Sequence, residues 1–176
     1  MDPSYADAPI ARRGLTLVEM LIVVVIVGIA AALAVPMFSE SSDIRLRSAA
    51  SVLVADLDAA RIDSIANADD PRVVVFDTAV GSYHVAAASA PATPLTNTAV
   101  GGNWQVVYGQ GTAARLDGVG LQSVSLGGDS TLTFGAFGNL DESADATIEL
   151  AAGTLRITVT VDAATGEATV GPITTP

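Results

Sequence analysis

The feature that most constrains this chain is an uninterrupted apolar segment near its start. No charged or strongly polar side chain occurs from Met20 to Val35, and the wider apolar stretch from Leu15 to about Phe38 contains one charge, that of Glu19. As a helix, this stretch is long enough to cross a hydrocarbon core of about 30 Å. Because Arg12 and Arg13 precede it and the chain beyond it is acidic, the positive-inside rule predicts a cytoplasmic amino terminus.

Two interpretations of this segment follow from general rules of protein targeting. A cleaved secretory signal would use Arg12 and Arg13 as its basic region and Ala32-Leu33-Ala34 as a small-x-small cleavage site. The apolar run is longer than the roughly 7–15 residues usual in such signals, and Glu19 lies near its start. The second interpretation is a plain signal anchor that tolerates Glu19. Either would leave a secreted or tethered β-rich binding module.

A third interpretation comes from a resemblance. The segment from Arg12 to Glu19 reads RRGLTLVE and leads directly into the apolar run, which resembles the leader and first helical turn of type IV prepilins and pseudopilins. The resemblance implies that a prepilin peptidase cuts between Gly14 and Leu15 on the cytoplasmic face and methylates the new amino terminus at Leu15. It also implies storage in the inner membrane, followed by assembly with other pilins or pseudopilins through this helix. Leu15 departs from the phenylalanine that is commoner at this position.

Glu19 and Pro36 match two further positions of that family. The resemblance implies that Glu19 pairs during assembly with the freed Leu15 amine of a neighbouring subunit. A simpler explanation of an acid at this position is that the dipole of the first helical turn favours an anion. Pro36 removes the hydrogen bond to the carbonyl of Ala32, so it predicts either a helix kink or the end of the membrane span.

Composition excludes most enzyme classes that leave a signature in sequence. The chain has no Cys, one His (His84), and no Lys among its 8 basic residues, which excludes thiolate or two-histidine metal sites, cysteine nucleophiles and Schiff-base chemistry. With 19 acidic residues the net charge is −11, which disfavours nucleic acid as a partner. We therefore predict a protein that is not an enzyme and has no cofactor and no small-molecule substrate. His84 is interpreted as a packed or surface strand residue, and Trp104 as a core anchor.

Beyond Pro36, an apolar stripe predicts that one helix continues from Leu15 to about Asn67. Its members recur at intervals of three or four residues and are interpreted as core: Leu46, Ala50, Leu53, Leu57 and Ala60. The pairs Asp43 with Arg47 and Asp58 with Arg61 fit the opposite face.

From Arg72 the pattern changes to short strands separated by turn residues. The predicted strands are Arg72–Phe76, Ser82–Ala87, Trp104–Tyr108, Val119–Val124, Thr131–Phe134, Thr147–Leu150, Leu155–Val161 and Glu167–Val170. Their short spacers favour antiparallel meanders, and residues 88–103 are predicted to form a surface loop. The fold class is α+β and, by the resemblance, pilin-like. Its parts are a cleaved leader 1–14, a transmembrane assembly helix 15–37, an amphipathic helix 38–70 and a β-rich periplasmic domain 71–176.

The body of the chain resembles minor pseudopilin H of type II secretion and the FimT-like minor pilins. The residues that carry this resemblance are Leu53, Leu57, Ala59–Arg61, Ser64–Ile65, Arg72–Phe76, Asn103–Val106, Thr133–Phe134, Gly138 and Leu155–Gly166. Asn139 stands where that group usually has a basic residue. The resemblance implies a minor pseudopilin of a periplasmic filament for protein export. A minor pilin of a type IV pilus, serving adhesion or DNA uptake, is the alternative.

An acidic loop raises the question of calcium. Asn139, Asp141, Glu142 and Asp145 offer the oxygen ligands that calcium prefers. Their spacing matches no EF-hand, and acidic loops are common in a chain this acidic. We therefore predict no metal site.

Overall fold

The computed structural model describes residues 17–98, 101–128 and 130–176, and for residues 31–41 it describes the backbone alone. The chain divides into two compact units, Met1–Phe38 and Ser39–Pro176. One helix, α1 (Leu17–Ala66), contributes residues to both units. The predicted helix is thus confirmed over the described residues, and it continues through position 36.

The second half of α1 forms because its apolar residues repeat with the helical period. These residues are fully buried: Leu46, Ala49, Ala50, Leu53, Leu57 and Ala60. On the outer face, the Arg47 Nε lies 3.1 Å from the Asp43 carboxylate, which confirms that predicted pair. Arg61, expected on that face beside Asp58, instead donates its Nε–H to the carbonyl of Gly138 at 3.2 Å. The reason is that the loop containing Gly138 packs directly against the Arg61 side chain.

Two four-stranded antiparallel sheets follow the helix. The first contains β1 (Arg72–Asp77), β2 (Ser82–Ala87), β3 (Gln105–Val107) and β5 (Thr131–Thr133), in the order β3-β2-β1-β5. The second contains β4 (Val119–Ser125), β6 (Ala146–Ala152), β7 (Leu155–Val161) and β8 (Ala168–Thr174), in the order β4-β6-β7-β8. All eight predicted strands are present, and all pairings are antiparallel.

The sheets depart from the prediction in three ways. β4 and β6, the strands before and after β5 in the chain, belong to the second sheet, but β5 pairs with β1 in the first sheet and so leaves the expected meander. In this position Leu132 of β5 is fully buried. Gly111–Leu116 forms a 3-10 helix that the strand pattern does not indicate. Leu95, within the predicted surface loop 88–103, packs against the core because its backbone bonds to Val85 at 2.8 Å and Trp104 at 2.6 Å.

Ser64 connects the end of α1 to the first sheet. Its buried hydroxyl donates to the carbonyl of Phe134 at 2.8 Å and accepts the backbone N–H of Arg72 at 3.0 Å. Side chains from the helix and from both sheets form one apolar core. The predicted α+β, pilin-like arrangement, a helix packed on antiparallel sheets, is confirmed.

Candidate functional site

Apart from Glu19, the described first part of α1, residues 17–30, is apolar on every side. All of its side chains are exposed, and the large apolar ones range from 49% exposed at Val23 to 82% at Leu17. A helix that is apolar all round is stable only where lipid or other helices cover it. Within the described residues, no helix is both long and apolar enough to cross a membrane.

The predicted processing residues lie mostly beyond what the structure describes. Gly14 and Leu15 are outside the described residues, and at Pro36 the backbone is described but the side chain is not. Glu19 lies in the first described turn of α1 and is exposed. An acid in a first turn interacts favourably with the helix dipole, as the simpler explanation of Glu19 requires.

The acidic loop between β5 and β6 is occupied by contacts within the chain. The Asp145 carboxylate accepts the backbone N–H of Ala163 at 2.9 Å, and the Asn139 amide donates to the carbonyl of Leu140 at 2.7 Å. The backbone N–H of Asp141 donates to the carbonyl of Thr133. The described part of the chain holds no group of three or more His, Cys, Asp or Glu side chains placed to bind a metal.

His84 lies on β2. Its Nε2 is 2.8 Å from the carbonyl oxygen of Pro91, so this nitrogen carries the proton and donates. The ring therefore links the following loop to the strand, as a packed or surface strand residue can.

A polar cluster that no sequence pattern indicates is built on Asp56. Asp56 lies on α1 beside the buried stripe, three residues after Leu53. Its Oδ2 accepts the Tyr83 hydroxyl at 2.7 Å, and its Oδ1 accepts the Trp104 indole N–H at 2.9 Å. Burial and the Asp56 charge raise the pKa of Tyr83 well above its ordinary value. The Tyr83 hydroxyl consequently stays protonated and donates at every physiological pH.

A cleft of about 550 Å³ opens beside this cluster. Val52 and Asp56 of α1 form one wall, Trp104 and β3 a second, and the 3-10 helix a third. Its size is within the range of small-molecule sites, about 300–1,000 Å³. Trp104 is thus both a partly buried core anchor, as expected, and a wall of this cleft.

The comparisons with known proteins bear on the amino-terminal segment. Residues 10–35 match the family described as the prokaryotic N-terminal methylation motif. The chain carries a prepilin-type methylation motif. No curated protein and no solved structure matches the chain significantly.

The methylation motif accounts for the exposed apolar helix. It is the motif of type IV pilins and pseudopilins, and it implies a subunit that prepilin peptidase processes and that assembles with other pilins. It also implies anchoring in the inner membrane before assembly, which provides an apolar environment for residues 17–30. Proteins with this motif are structural subunits, so the chain is not an enzyme.

Proposed function

We propose that this chain is a minor pseudopilin of a type II secretion pseudopilus, a periplasmic filament for protein export. The observation that carries the proposal is the methylation motif at residues 10–35 on a helix that continues into an α+β domain. The finer assignment is supported by the likeness of the body to pseudopilin H, including the tryptophan next to β3 and the closing β7–β8 hairpin through Gly166.

Processing would convert the precursor into an assembly-competent subunit. Prepilin peptidase would cut between Gly14 and Leu15, remove leader 1–14 and methylate the Leu15 amine. Residues 15–37 would then remain in the inner membrane, with the N-terminus of the precursor cytoplasmic and residues 38–176 periplasmic. Removal of leader 1–14 also takes away Arg12 and Arg13, which leaves the charge of Glu19 near the new amine.

The mature amino terminus tests this part of the proposal. Mass spectrometry of the protein purified from its own membrane should find a chain that starts at Leu15 and carries one methyl group. Gly14→Val should accumulate as the uncut precursor, because the peptidase needs the small residue before the bond. A chain that starts at Val35 would show secretory cleavage after Ala34 and would overturn both filament assignments.

A deletion strain separates secretion from piliation. Loss of exported proteins from the medium, with surface pili intact, supports the pseudopilus. Loss of pili or of DNA uptake with export intact would instead identify a minor pilin of a type IV pilus. The net charge of −11 argues against direct DNA capture by this subunit, since a surface of that sign repels the phosphate backbone.

A further inference from the structure

The cleft beside Asp56 has a lining suited to hydroxyl groups. Four amide residues and one threonine are among the residues that line it: Asn97, Asn103, Gln105, Gln110 and Thr112. Each amide offers donors and acceptors together, which is the combination that a sugar hydroxyl pairs with. Among the described residues that line the cleft, Asp56 has the only formal charge. A lining without Arg, Lys or His does not attract phosphate or carboxylate ligands.

Two apolar residues line the cleft from different walls. The hydrogen bond from the Trp104 indole to Asp56, 2.9 Å long, fixes the orientation of the ring, and Val52 of α1 is 39% exposed. A fixed aromatic surface flanked by amides suits a ligand that has both an apolar face and a hydroxylated rim.

The outer edge of β3 already forms backbone hydrogen bonds with neighbouring parts of the chain. Among the described strands, β3 has a neighbour, β2, on one side only. On the other side, the Gln105 N–H donates to the carbonyl of Asn103 at 2.8 Å, and the Val107 carbonyl accepts the N–H of Gln110 at 3.0 Å. A peptide that bound by strand addition would have to displace these bonds. Recognition in the cleft therefore depends on side chains, which favours a small hydroxylated ligand over an extended polypeptide.

We propose that this cleft binds a neutral saccharide. Trp104 and Val52 contact the apolar face of a sugar ring, while Asn103 and Gln110 pair with its hydroxyls and Asp56 accepts from one more. The saccharide is bound and not transformed, so it is not a substrate. Such binding is compatible with a filament that serves either secretion or piliation.

Trp104 is the only tryptophan of the chain, so its fluorescence reports directly on the cleft. The full chain, in a detergent without a sugar headgroup, is titrated with cellotriose, maltotriose and tri-N-acetylchitotriose. Saturation-transfer NMR on the same samples detects contact with each sugar. We expect a saturable fluorescence change with at least one trisaccharide. If none produces a change at about 20 mM, the proposal is overturned, since affinity weaker than this is not specific binding.

Matched variants locate the binding. Asn103→Ala and Gln110→Ala should each weaken the responding sugar about threefold to tenfold, the effect of losing one neutral hydrogen bond. Gln122→Ala removes an exposed amide from β4, in the other sheet, and should leave the affinity unchanged. If Asn103→Ala and Gln110→Ala bind the sugar as tightly as the control Gln122→Ala does, the assignment of the site is overturned.

The pattern of responses identifies the source of the sugar. A response to tri-N-acetylchitotriose alone indicates an acetylated amino-sugar glycan such as that of a cell wall. A response to cellotriose or maltotriose indicates an unmodified hexose polymer. An unstructured glutamine- and asparagine-rich decapeptide serves as the polypeptide arm, and binding of this peptide without binding of any sugar would overturn the proposal.

Discussion

Asp56 supports two aromatic side chains, and a third aromatic nearby lacks such support. The Asp56 carboxylate accepts the hydroxyl of Tyr83 and the indole N–H of Trp104. The ring of Tyr108 lies 6.2 Å from that of Tyr83, and its buried hydroxyl has no hydrogen-bond partner among the described residues. Burial and the Asp56 charge raise the pKa of Tyr108, so this hydroxyl also stays protonated. Two buried tyrosines thus differ in whether the hydroxyl is satisfied.

Removing each hydroxyl should have a different effect on stability. Tyr83→Phe should lower the free energy of unfolding by about 1–2 kcal/mol, because the charged Asp56 loses a hydrogen bond. Tyr108→Phe should leave it unchanged or raise it by up to about 1 kcal/mol, because a buried group without a partner is removed. Urea unfolding of both variants in one detergent, followed by Trp104 fluorescence, measures the difference. Equal losses would contradict these roles.

Asp70 should give the stability of the domain one contribution that depends on pH. Its carboxylate accepts the backbone N–H of Ser89 at 3.0 Å and the Ser89 hydroxyl at 2.9 Å. The two bonds hold the pKa of Asp70 below its ordinary value of 3.8 in the folded chain. The folded state therefore binds fewer protons than the unfolded state does, and this contribution to stability, complete at neutral pH, is lost as the pH falls below 3.8.

Asp70→Asn should remove this pH dependence. The difference in unfolding free energy between the parent chain and the variant should be largest at neutral pH and should shrink in acid, as urea titrations across that range would show. Asp69→Asn removes the same charge from the same turn without touching the Ser89 contacts. If both variants follow the same pH profile, the Ser89 bonds are not the cause.

At the level of secondary structure, two loops connect the two sheets near the end of α1: the loop after β5 and the β7–β8 loop. The loop after β5 supplies the N–H of Leu140, which donates to the carbonyl of Ala163 in the β7–β8 loop at 2.9 Å. Arg61 of α1 donates to Gly138 of the first loop. Gly166 of the second loop lies so close to Gly138 that a Cβ at position 166 would overlap the Gly138 carbonyl oxygen. This contact requires glycine at 166.

Gly166→Ala should therefore be strongly destabilising. Gly166 has a φ of +65°, and Gly153 in the β6–β7 turn has a similar φ of +62°, but a Cβ at 153 would meet nothing within 4 Å. Gly153→Ala should cost about 1–2 kcal/mol, from the strained backbone alone. Gly166→Ala should cost about 3 kcal/mol or more, because the Gly138 loop must also move. Thermal unfolding of the two variants separates the cost of backbone strain from the cost of moving the Gly138 loop. Equal destabilisation of both variants would argue against the close contact.

The element bounds show where sequence patterns suffice. β2 and β7 match their predicted bounds to the residue. The turn residues 77–81 end directly before β2, and the apolar residues of β7 alternate. The predicted bounds of β8 end at Val170, directly before Gly171 and Pro172. It continues to Thr174 because it is an edge strand, where a proline without an N–H is tolerated.

The two candidate sites, the methylation motif and the Asp56 cluster, differ in whether a sequence pattern can predict them. The methylation motif is contiguous, so RRGLTLVE and the apolar run could be read directly. The Asp56 cluster joins residues 27 and 48 positions apart, and no local pattern relates them. The one available signal was a charged residue directly beside the buried stripe of α1.

For the whole molecule, the two halves of α1 need different surroundings: the second half packs on the sheets, and the first half needs an apolar environment outside the chain. The stripe from Leu46 to Ala60 is buried by the chain's own sheets, whereas the apolar side chains of residues 17–30 remain exposed. Neighbouring subunits as acidic as this chain, whose net charge is −11, would repel one another at long range. In the proposed filament, attraction between subunits would then come from the exposed apolar helix. Such a contact is not directional, so the axial position of one helix against the next needs a polar group.

Glu19 is the group that would set this position. In the proposed filament its carboxylate pairs with the Leu15 amine of the next subunit, and removal of one partner of a pair excluded from water costs about 3–5 kcal/mol. Glu19→Gln should therefore insert into the membrane and be processed normally, but should lose most of the filament that cross-linking of whole cells detects. Glu167→Gln makes the same change of charge at an exposed position of the β domain and should assemble like the parent. Full assembly of Glu19→Gln would mean that the acid is merely tolerated by the helix dipole.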